Sequence, residues 1–415
     1  MTANRKTILT TAAVFAAFLL SGADILLENA RKGDTESQVK VANEFFFGKN
    51  RKVNLPLAYY WFRKAAANGS AHARYNMAVC LQKGWGCKKN SAGAFRNFEL
   101  AMKQGIEKAA IRYAEMLYRG VDAESFEDEK IPAVKADQKK ALEILRHTAQ
   151  NDTEAMEILA KFLYMDAEKN GVELRGVLKR YTEKSQDPDP ELLLVYSACL
   201  RSGLGGVMPD AAAGAKVLEK AAAKNHPEAI AQLAEMTLMG WGMPANKNKA
   251  LQLYMLAVKL GSPRAKTDVA QMKLAGVYLK HDPAGAFKLL TEAAEKKYPP
   301  ALCKLGDCYA FGIGTEQNMA KAVFYYMNAA ERGNRLAAFR MGEFYRDGVH
   351  LPKNPAAAFH YFSTAAKAGH AGAMREAGKA LLGNSGIDPD YKRAMEYLRQ
   401  AAAKGDKEAM ELLQQ

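Results

Sequence analysis

Residues 299–333 read PPALCKLGDCYAFGIGTEQNMAKAVFYYMNAAERG, and this pattern returns every 36 residues between positions 226 and 406. Three columns of alanine run through five copies without a gap. The columns are Ala229, Ala265, Ala301, Ala337 and Ala373; Ala250, Ala286, Ala322, Ala358 and Ala394; and Ala257, Ala293, Ala329, Ala365 and Ala401. A fourth column holds Gly261, Lys297, Gly333, Gly369 and Gly405. Self-similarity at a fixed period of about 20–50 residues is the signature of a repeat array.

Each copy predicts two helices joined by a glycine turn. In the quoted copy, residues 300–311 place apolar side chains at three- and four-residue spacing, as one face of a helix requires. Gly312 and Gly314 end that helix, because glycine takes left-handed backbone angles at little cost. Asn318 is the predicted N-cap of a second helix, which Gly333 closes.

The alanine columns predict close packing between helices, because two helices approach closely only where small side chains meet at the crossing. Larger side chains recur at one position of the second helix and are predicted to fill the gaps between neighbouring hairpins. They are Tyr254, Leu290, Tyr326, Phe362 and Leu398. Each hairpin then buries one face against the next, which makes an all-α, one-dimensional stack.

These residues resemble the Sel-one-like repeat family, an α-solenoid related to tetratricopeptide repeats. The resemblance rests on Ala301-x3-Leu305-Gly306-x2-Tyr309-x2-Gly312-x-Gly314, then Lys321-Ala322-x3-Tyr326-x2-Ala329-Ala330-x2-Gly333. It implies a right-handed α-α superhelix, with about ten repeats in this chain. It also implies a scaffold or adaptor role in protein–protein interaction and, for exported bacterial members, envelope signalling or host contact.

Residues 1–23 are predicted to be a secretory signal peptide. Arg5 and Lys6 form a positive start, Thr7–Leu20 is apolar, and small residues lead to a cleavage site after Ala23. An uncleaved membrane anchor is the alternative, but the apolar run is shorter than the roughly 20 residues that a spanning helix needs. The sequence therefore predicts a periplasmic or secreted protein without a transmembrane segment after cleavage.

Residues 24–415 are predicted to be one repeat domain with three irregularities. An acid-rich insertion near residues 121–137 is predicted to be a solvated turn on one rim of the stack. The copy near residues 152–187 has lost the glycine turn and ends in the sequence DPDP, which suggests a hinge. Residues 406–415 are predicted to form a half-repeat helix that caps the stack.

The chain is basic, with 59 lysines and arginines against 45 acidic residues and a net charge of +14. Removal of Arg5 and Lys6 with the signal peptide leaves 14 − 2 = +12. This charge favours anionic partners, so an envelope glycan or peptidoglycan binder is an alternative to a protein scaffold. Nucleic acid is not expected, because the basic residues are spread through every copy rather than clustered with aromatic residues along one strip.

No catalytic or cofactor-binding motif stands out. The chain lacks a His-Glu-x-x-His zinc motif, a Gly-x-Ser-x-Gly elbow and a phosphate-binding loop, so neither an enzyme nor a cofactor is predicted. Ser37-x-x-Lys40 matches the Ser-x-x-Lys of penicillin-interacting enzymes, although no Lys-Thr-Gly partner exists. A β-lactam-binding or hydrolysing enzyme is therefore a second alternative.

The resemblance implies that the first helix of each pair lines the concave face, where a protein or peptide partner would bind. The outward positions of the first helices include Tyr75, Phe339, Glu343 and Arg346. Tyrosine and arginine are typical anchors of interfaces. Packing between repeats is the alternative role for the two aromatic residues.

One repeat position holds Cys80, Cys199 and Cys308, and other copies have Met116, Met236, Met272 or Phe344 there. This is a core position, where cysteine behaves as a small apolar residue. Cys80 and Cys87, in a helix and its following turn, are the candidates for a disulfide bond in an oxidising compartment. Free thiols are the alternative.

Overall fold

The structure, a computed structural model, describes residues 22–126, 129–204, 206, 208–384 and 386–414. The predicted signal peptide therefore lies outside the described residues except for Gly22 and Ala23, and it stays a prediction. The chain divides into two compact units. The first comprises residues 1–188 and 204–207, and the second comprises residues 189–203 and 208–415.

The described part of the first unit is built from nine helices and a short hairpin. The helices are α1 (Gly22–Arg31), α2 (Thr35–Phe47), α3 (Leu55–Ala67), α4 (Ala71–Lys83), α5 (Ser91–Lys103), α6 (Glu107–Arg119), α7 (Gln138–Thr148), α8 (Thr153–Tyr164) and α9 (Ala167–Lys184). Strands β1 (Glu124–Phe126) and β2 (Glu129–Ile131) lie between α6 and α7. Helices α2 to α9 form four consecutive antiparallel pairs.

The described part of the second unit continues the same pairing. Its helices are α10 (Pro190–Ser202), α11 (Ala211–Ala223), α12 (Pro227–Met239), α13 (Lys247–Lys259), α14 (Pro263–Ala275), α15 (Pro283–Glu295), α16 (Pro299–Phe311), α17 (Met319–Glu331), α18 (Arg335–Asp347), α19 (Pro355–Lys367), α20 (Ala371–Lys379), α21 (Tyr391–Ala403) and α22 (Lys407–Leu412). Helices α10 to α21 form six pairs, and each pair packs against the next. The predicted all-α stack of helix pairs is confirmed.

The ends of the helices follow the local sequence signals. Helix α16 ends at Gly312, whose φ of 68° lies in the left-handed region. Helix α17 begins after Asn318, whose side chain accepts a hydrogen bond of 2.9 Å from the Lys321 backbone N–H. Asn54, Asn90, Asn246 and Asn354 cap the second helices of other pairs in the same way. An asparagine before the second helix is thus a repeated start signal.

The alanine columns form the inner layer of the stack. All fifteen alanines of the three columns are buried, and Ala358 has the highest exposure, at 4%. The large side chains of the second helices are buried beside them, as predicted. A methyl group at Gly306 would lie 2.7 Å from the ring of Tyr326, so the first helix of this pair has a glycine where the ring of the second helix packs.

The insertion of the third copy is partly folded rather than a fully solvated turn. Strands β1 and β2 pair antiparallel, and an isolated bridge joins Val121 to Val134. Val121 and Ile131 are buried, at 8% and 7% exposure. Glu124 accepts a hydrogen bond from the Ala92 N–H, near the start of α5, where helix dipoles favour a carboxylate. The sequence showed the acidic composition but not these contacts.

The degenerate copy keeps the paired arrangement without its glycine turn. Helices α8 and α9 pack together, and Asp152 caps α8. The boundary between the two units falls at residues 188–189, inside the DPDP sequence. The predicted hinge stays a prediction. A helix, α22, is present where the cap of the stack was predicted, and its Ala409 is fully buried, while the capping role itself stays a prediction.

Candidate interaction surface

Oppositely charged side chains connect consecutive first helices of the second unit. We call these connections the first-helix ladder. Its members are Glu228, Glu235, Arg264 and Asp268 on α12 and α14; Asp307 and Arg340 on α16 and α18; Arg346 and Glu376 on α18 and α20; and Arg375, Asp406 and Glu408 on α20 and at α22. Because each connection joins neighbouring repeats, the ladder follows the face that the first helices share.

The densest part of the ladder surrounds Arg264. Its guanidinium lies 2.6 Å from Glu235 and 3.4 Å from Glu228, both on the preceding first helix, and 3.8 Å from Asp268 on its own helix. Gln232 donates to Glu228 and accepts a 2.7 Å hydrogen bond from Arg201 on α10, so the network extends over three first helices. One arginine therefore holds three carboxylates on a crowded surface.

Within this cluster, the carboxyl group of Asp268 has a raised pKa. Burial raises its pKa to about 6, although Arg264 lowers the pKa, and the nearby carboxylates of Glu235 and Glu228 raise it further. Its side chain is still 28% exposed. Asp268 is therefore only partly withdrawn from water.

Asp268 predicts an unusual pH dependence of stability. Since its pKa in the folded state, about 6, lies above the unfolded value of about 3.9, the folded protein binds a proton between these values that the unfolded chain does not. Asp268 therefore adds stability as the pH falls from 6 toward 4. In thermal unfolding, we expect Asp268→Asn to be more stable than the wild type at pH 7, with a difference that shrinks as the pH falls through 6 toward 4. A constant difference across this range would contradict the pKa assignment.

The next part of the ladder combines charge with an aromatic ring. Asp307 on α16 lies 3.4 Å from the Arg340 guanidinium on α18 and accepts a 2.7 Å hydrogen bond from the Tyr326 hydroxyl. Arg340 also lies over the Tyr326 ring, 5.6 Å from its centroid. Burial is the first cause that raises the pKa of this tyrosine, and the bond to Asp307 adds to it. The hydroxyl therefore stays a donor.

Glu376 connects the last repeats. It is 10% exposed and accepts from Arg346 at 2.9 Å and from Arg375 at 3.1 Å. The Arg375 guanidinium also donates to the carboxylate of Asp406, the N-cap of α22, at 2.8 Å. In the first unit, Arg112 on α6 similarly pairs with Glu154 on α8. Arginine and carboxylate contacts between first helices thus occur in both units.

Three of the four sequence-predicted partner residues lie on α18. The ring of Phe339 stacks on His370 with 4.4 Å between centroids and contacts Phe362, so it packs between repeats. Glu343 is half-buried, and burial raises its pKa. Arg346 is held by Asp347 and Glu376. Partner binding by these residues stays a prediction.

Tyr75 lies on α4 in the first unit, apart in sequence from the other three. Its ring lies 5.8 Å from Phe98, and it lines a cavity of about 190 Å³ with Phe46, Phe62 and Trp85. It is half-buried. Tyr75 therefore contributes to packing between repeats and to the wall of a small surface cavity.

The sequence matches the family model described as Sel1 repeat. The matched segments are residues 35–70, 71–106, 195–226, 227–262, 263–298, 299–334, 335–370 and 371–406. This chain belongs to the Sel1 repeat family. No curated relative matches it at a significant level. Residues 107–194 have no match to the Sel1 repeat model, yet the structure forms two further helix pairs there, α6 with α7 and α8 with α9.

Solved Sel1 repeat structures support the fold. A protective antigen of uropathogenic Escherichia coli strains, which displays this fold, superposes with a TM-score of 0.59 and is 22% identical. The match covers 94% of this chain and 81% of the antigen. A Sel1 repeat protein from Oxalobacter formigenes gives a TM-score of 0.50 at 25% identity, over 60% of this chain and 99% of that protein.

Sel1 repeat proteins generally mediate protein–protein interaction, and the family is generally a non-catalytic scaffold. The two residues of the Ser-x-x-Lys match differ in their surroundings. Ser37 is buried near the start of α2, whereas Lys40 points to solvent and lies 2.6 Å from Glu36. Among the described residues, no group of histidine, cysteine and acidic side chains could hold a metal ion. No helix in the described ranges is both long and apolar enough to cross a membrane.

Cys80 and Cys87 are free thiols in the structure, and a disulfide between them stays a prediction. Cys80 is buried, and burial raises its pKa to about 12. Cys87 is partly exposed in the turn after α4. The thiolate is the reactive form, so these two cysteines differ in both access and reactivity.

We expect iodoacetamide to modify only Cys87 in the native Sel1 repeat protein, because the other four cysteines are buried. Intact mass before and after treatment, followed by peptide mapping, measures this. Under denaturing conditions without reductant, all five should react. Loss of two sites in the denatured, unreduced sample, mapped to the peptides of Cys80 and Cys87, would instead show that these two cysteines form a disulfide.

The first-helix ladder was not predicted from the sequence, although the spacing of its charged residues does indicate it. Arg264 follows Glu228 by 36 residues and Glu235 by 29, which are separations of about one repeat. Arg346 precedes Glu376 by 30. A search for opposite charges at these separations in the first helices would have found the connections.

Proposed function

We propose that this Sel1 repeat protein is an exported scaffold that binds a protein or peptide partner along its first-helix face, in envelope signalling or host contact. The first-helix ladder is the observation that carries the proposal. It places donors and acceptors on several consecutive repeats, as an extended partner segment needs. The family resemblance implies that this face is concave.

The ladder supports binding because its side chains are already ordered. Arg264, Asp307 and Glu376 are held by neighbours on adjacent helices, and they are 29%, 14% and 10% exposed. Ordering a mobile side chain on binding costs about 0.5–1.5 kcal/mol, and this cost is reduced where the free protein already fixes the side chain. A pre-ordered polar surface therefore binds a polar segment with a smaller loss of entropy.

Export rests on residues 1–23, whose charge and hydropathy pattern is typical of a signal peptide. Expression with the complete leader in a bacterium, followed by fractionation and N-terminal sequencing, tests it. The proposal expects a mature chain that begins at Asp24 outside the cytoplasm. A full-length chain in the cytoplasm would contradict it.

Photo-crosslinking tests the binding face directly. A photoreactive phenylalanine analogue placed at Glu343, on first helix α18, is expected to capture one protein from envelope extract. Met255 is the matched control, because it is exposed on second helix α13 of the same unit. Equal capture from both positions, or from Met255 alone, would contradict binding on the first-helix face.

An anionic glycan is the second candidate, favoured by the net charge of +14. Attraction between exposed charges is screened at high salt, since the Debye length falls from about 10 Å at 0.1 M to about 3 Å at 1 M. Binding of the chain to purified peptidoglycan at both salt concentrations separates the candidates. Capture of cell-wall fragments alone, lost at high salt, would favour the glycan binder.

A further inference from the structure

One core position of the repeat is empty near the end of the stack. At the tenth residue of the first helix, the first copy holds Glu44 and later copies hold Cys80, Met116, Phe162, Cys199, Met236, Met272, Cys308 or Phe344, whereas the last copy holds Ala380. In the preceding pair, the Phe344 ring fills this position and lies 6.0 Å from Tyr326, between centroids. Phe362 is the counterpart of Tyr326 one repeat later, so Ala380 leaves space in front of Phe362.

The structure contains a cavity at this place. Its volume is about 560 Å³, and Ala358, Phe359, Phe362 and Ala380 contribute its apolar walls. A cavity at a corresponding place in the first unit, beside Phe62, has a volume of about 190 Å³. There the tenth position holds Cys80, which is buried. The larger volume beside Ala380 is in the range of pockets that bind small molecules or side chains, about 300–1,000 Å³.

The backbone at the cavity also departs from the repeat. Helix α20 ends at Lys379, and residues Ala380–Asn384 form a π-turn in which Gly383 has a φ of 102°. Other first helices of this unit run regularly for 13 residues to a left-handed glycine. Because Gly383 is not helical, this segment is a kinked end of the first helix. The widened turn and the small side chain thus coincide at one wall.

The charges around the cavity are largely paired with one another. Arg346 binds Glu376, and Lys379 binds Glu408. Lys353 is exposed, where a single charge contributes little to binding because water screens it. Phe362 is 2% exposed and Arg346 lies over its ring, 5.9 Å from the centroid, so the selective interaction that this cavity offers is burial of apolar surface mainly against Phe359.

We propose that the cavity beside Ala380 binds an aromatic or long aliphatic side chain, of the phenylalanine or methionine type, from a peptide segment of the partner. The occupant takes the place that methionine, cysteine or phenylalanine of the chain itself fills in other repeats. The inference rests on the proposed function only in taking a peptide as the source of the side chain.

Saturation-transfer NMR tests the cavity with the capped tripeptide acetyl-Ala-Phe-Ala-amide and the full chain. The wild type is expected to transfer saturation to the phenylalanine ring protons. Ala380→Met fills the cavity from inside and is expected to abolish the transfer, while raising the midpoint of thermal unfolding by about 2 °C. Ala380→Cys adds a smaller side chain to the cavity than Ala380→Met does. It is therefore expected to weaken the saturation transfer without abolishing it.

Ala356→Met is the matched control, since Ala356 is exposed on α19 and does not line the cavity. It should leave the transfer unchanged. Unchanged transfer in a folded Ala380→Met variant would overturn the proposal, as would the absence of transfer in the wild type. Transfer to benzyl alcohol but not to the tripeptide would overturn the peptide assignment. Since no natural partner takes part, failure here leaves the crosslinking test of the first-helix face unaffected, and the reverse also holds.

Discussion

Replacement of Gly314 with alanine is expected to lower the free energy of unfolding by about 3 kcal/mol, from two physical causes. The φ of Gly314 is 69°, which costs a residue with a side chain about 1–2 kcal/mol. A methyl group there would also overlap the backbone carbonyl of Pro283, the first residue of α15. Relief of such an overlap requires a backbone shift, which costs about 1–3 kcal/mol.

Gly333→Ala separates the two causes. Gly333 has a φ of 84°, but no atom lies within 4 Å of the position that its methyl group would take. This variant should therefore lose only about 1 kcal/mol, from the backbone angle alone. Urea unfolding of both variants, followed by circular dichroism, measures the difference. Equal losses would show that the turn after α16 does not pack tightly on the preceding repeat.

Arg264→Met is expected to have the second large effect. Methionine retains much of the length of the side chain but leaves the carboxylates of Glu228, Glu235 and Asp268 without their common cation. Removal of one partner from a fully buried ion pair costs about 3–5 kcal/mol. Because these side chains are about 30% exposed, we expect roughly 2–3 kcal/mol.

The loss should shrink as the pH falls, because protonation of Asp268, whose pKa is raised to about 6 mainly by burial, removes one of the three negative charges left without a cation. Urea unfolding at pH 7 and pH 4.5 measures this. Arg332→Met is the control, since Arg332 lies 3.9 Å from an exposed Glu331 and belongs to no network of the ladder. A loss for Arg264→Met as small as that of the control would contradict the structural role of the ladder.

Much of each helix pair was predictable because its signals are local. Glycine at position 312 ends a helix through its own backbone angle, and asparagine at position 318 starts the next through its own side chain. Helix α16 begins at Pro299, one residue before the predicted start. The β-hairpin after α6 was not predictable in this way. Its acidic sequence has no clear alternation, and the contact between Glu124 and Ala92 joins residues 32 positions apart.

The candidate site was predicted only in part. Phe339, Glu343 and Arg346 do lie together on α18, as helical spacing requires. Their neighbours could not be derived from that spacing, because His370 and Glu376 come from the next repeat. Phe339 is consequently engaged in packing, and Arg346 is part of the first-helix ladder.

The sequence by itself determined the class of the fold, the length of the repeat and the residues of its core. Alanine, glycine and asparagine act through size and backbone angle, so their spacing is sufficient for these features. Only the tertiary structure decided that Arg264 meets three carboxylates and that Ala380 leaves a cavity in front of Phe362. Both depend on the offset between neighbouring first helices and on the side chains that each repeat presents to the next.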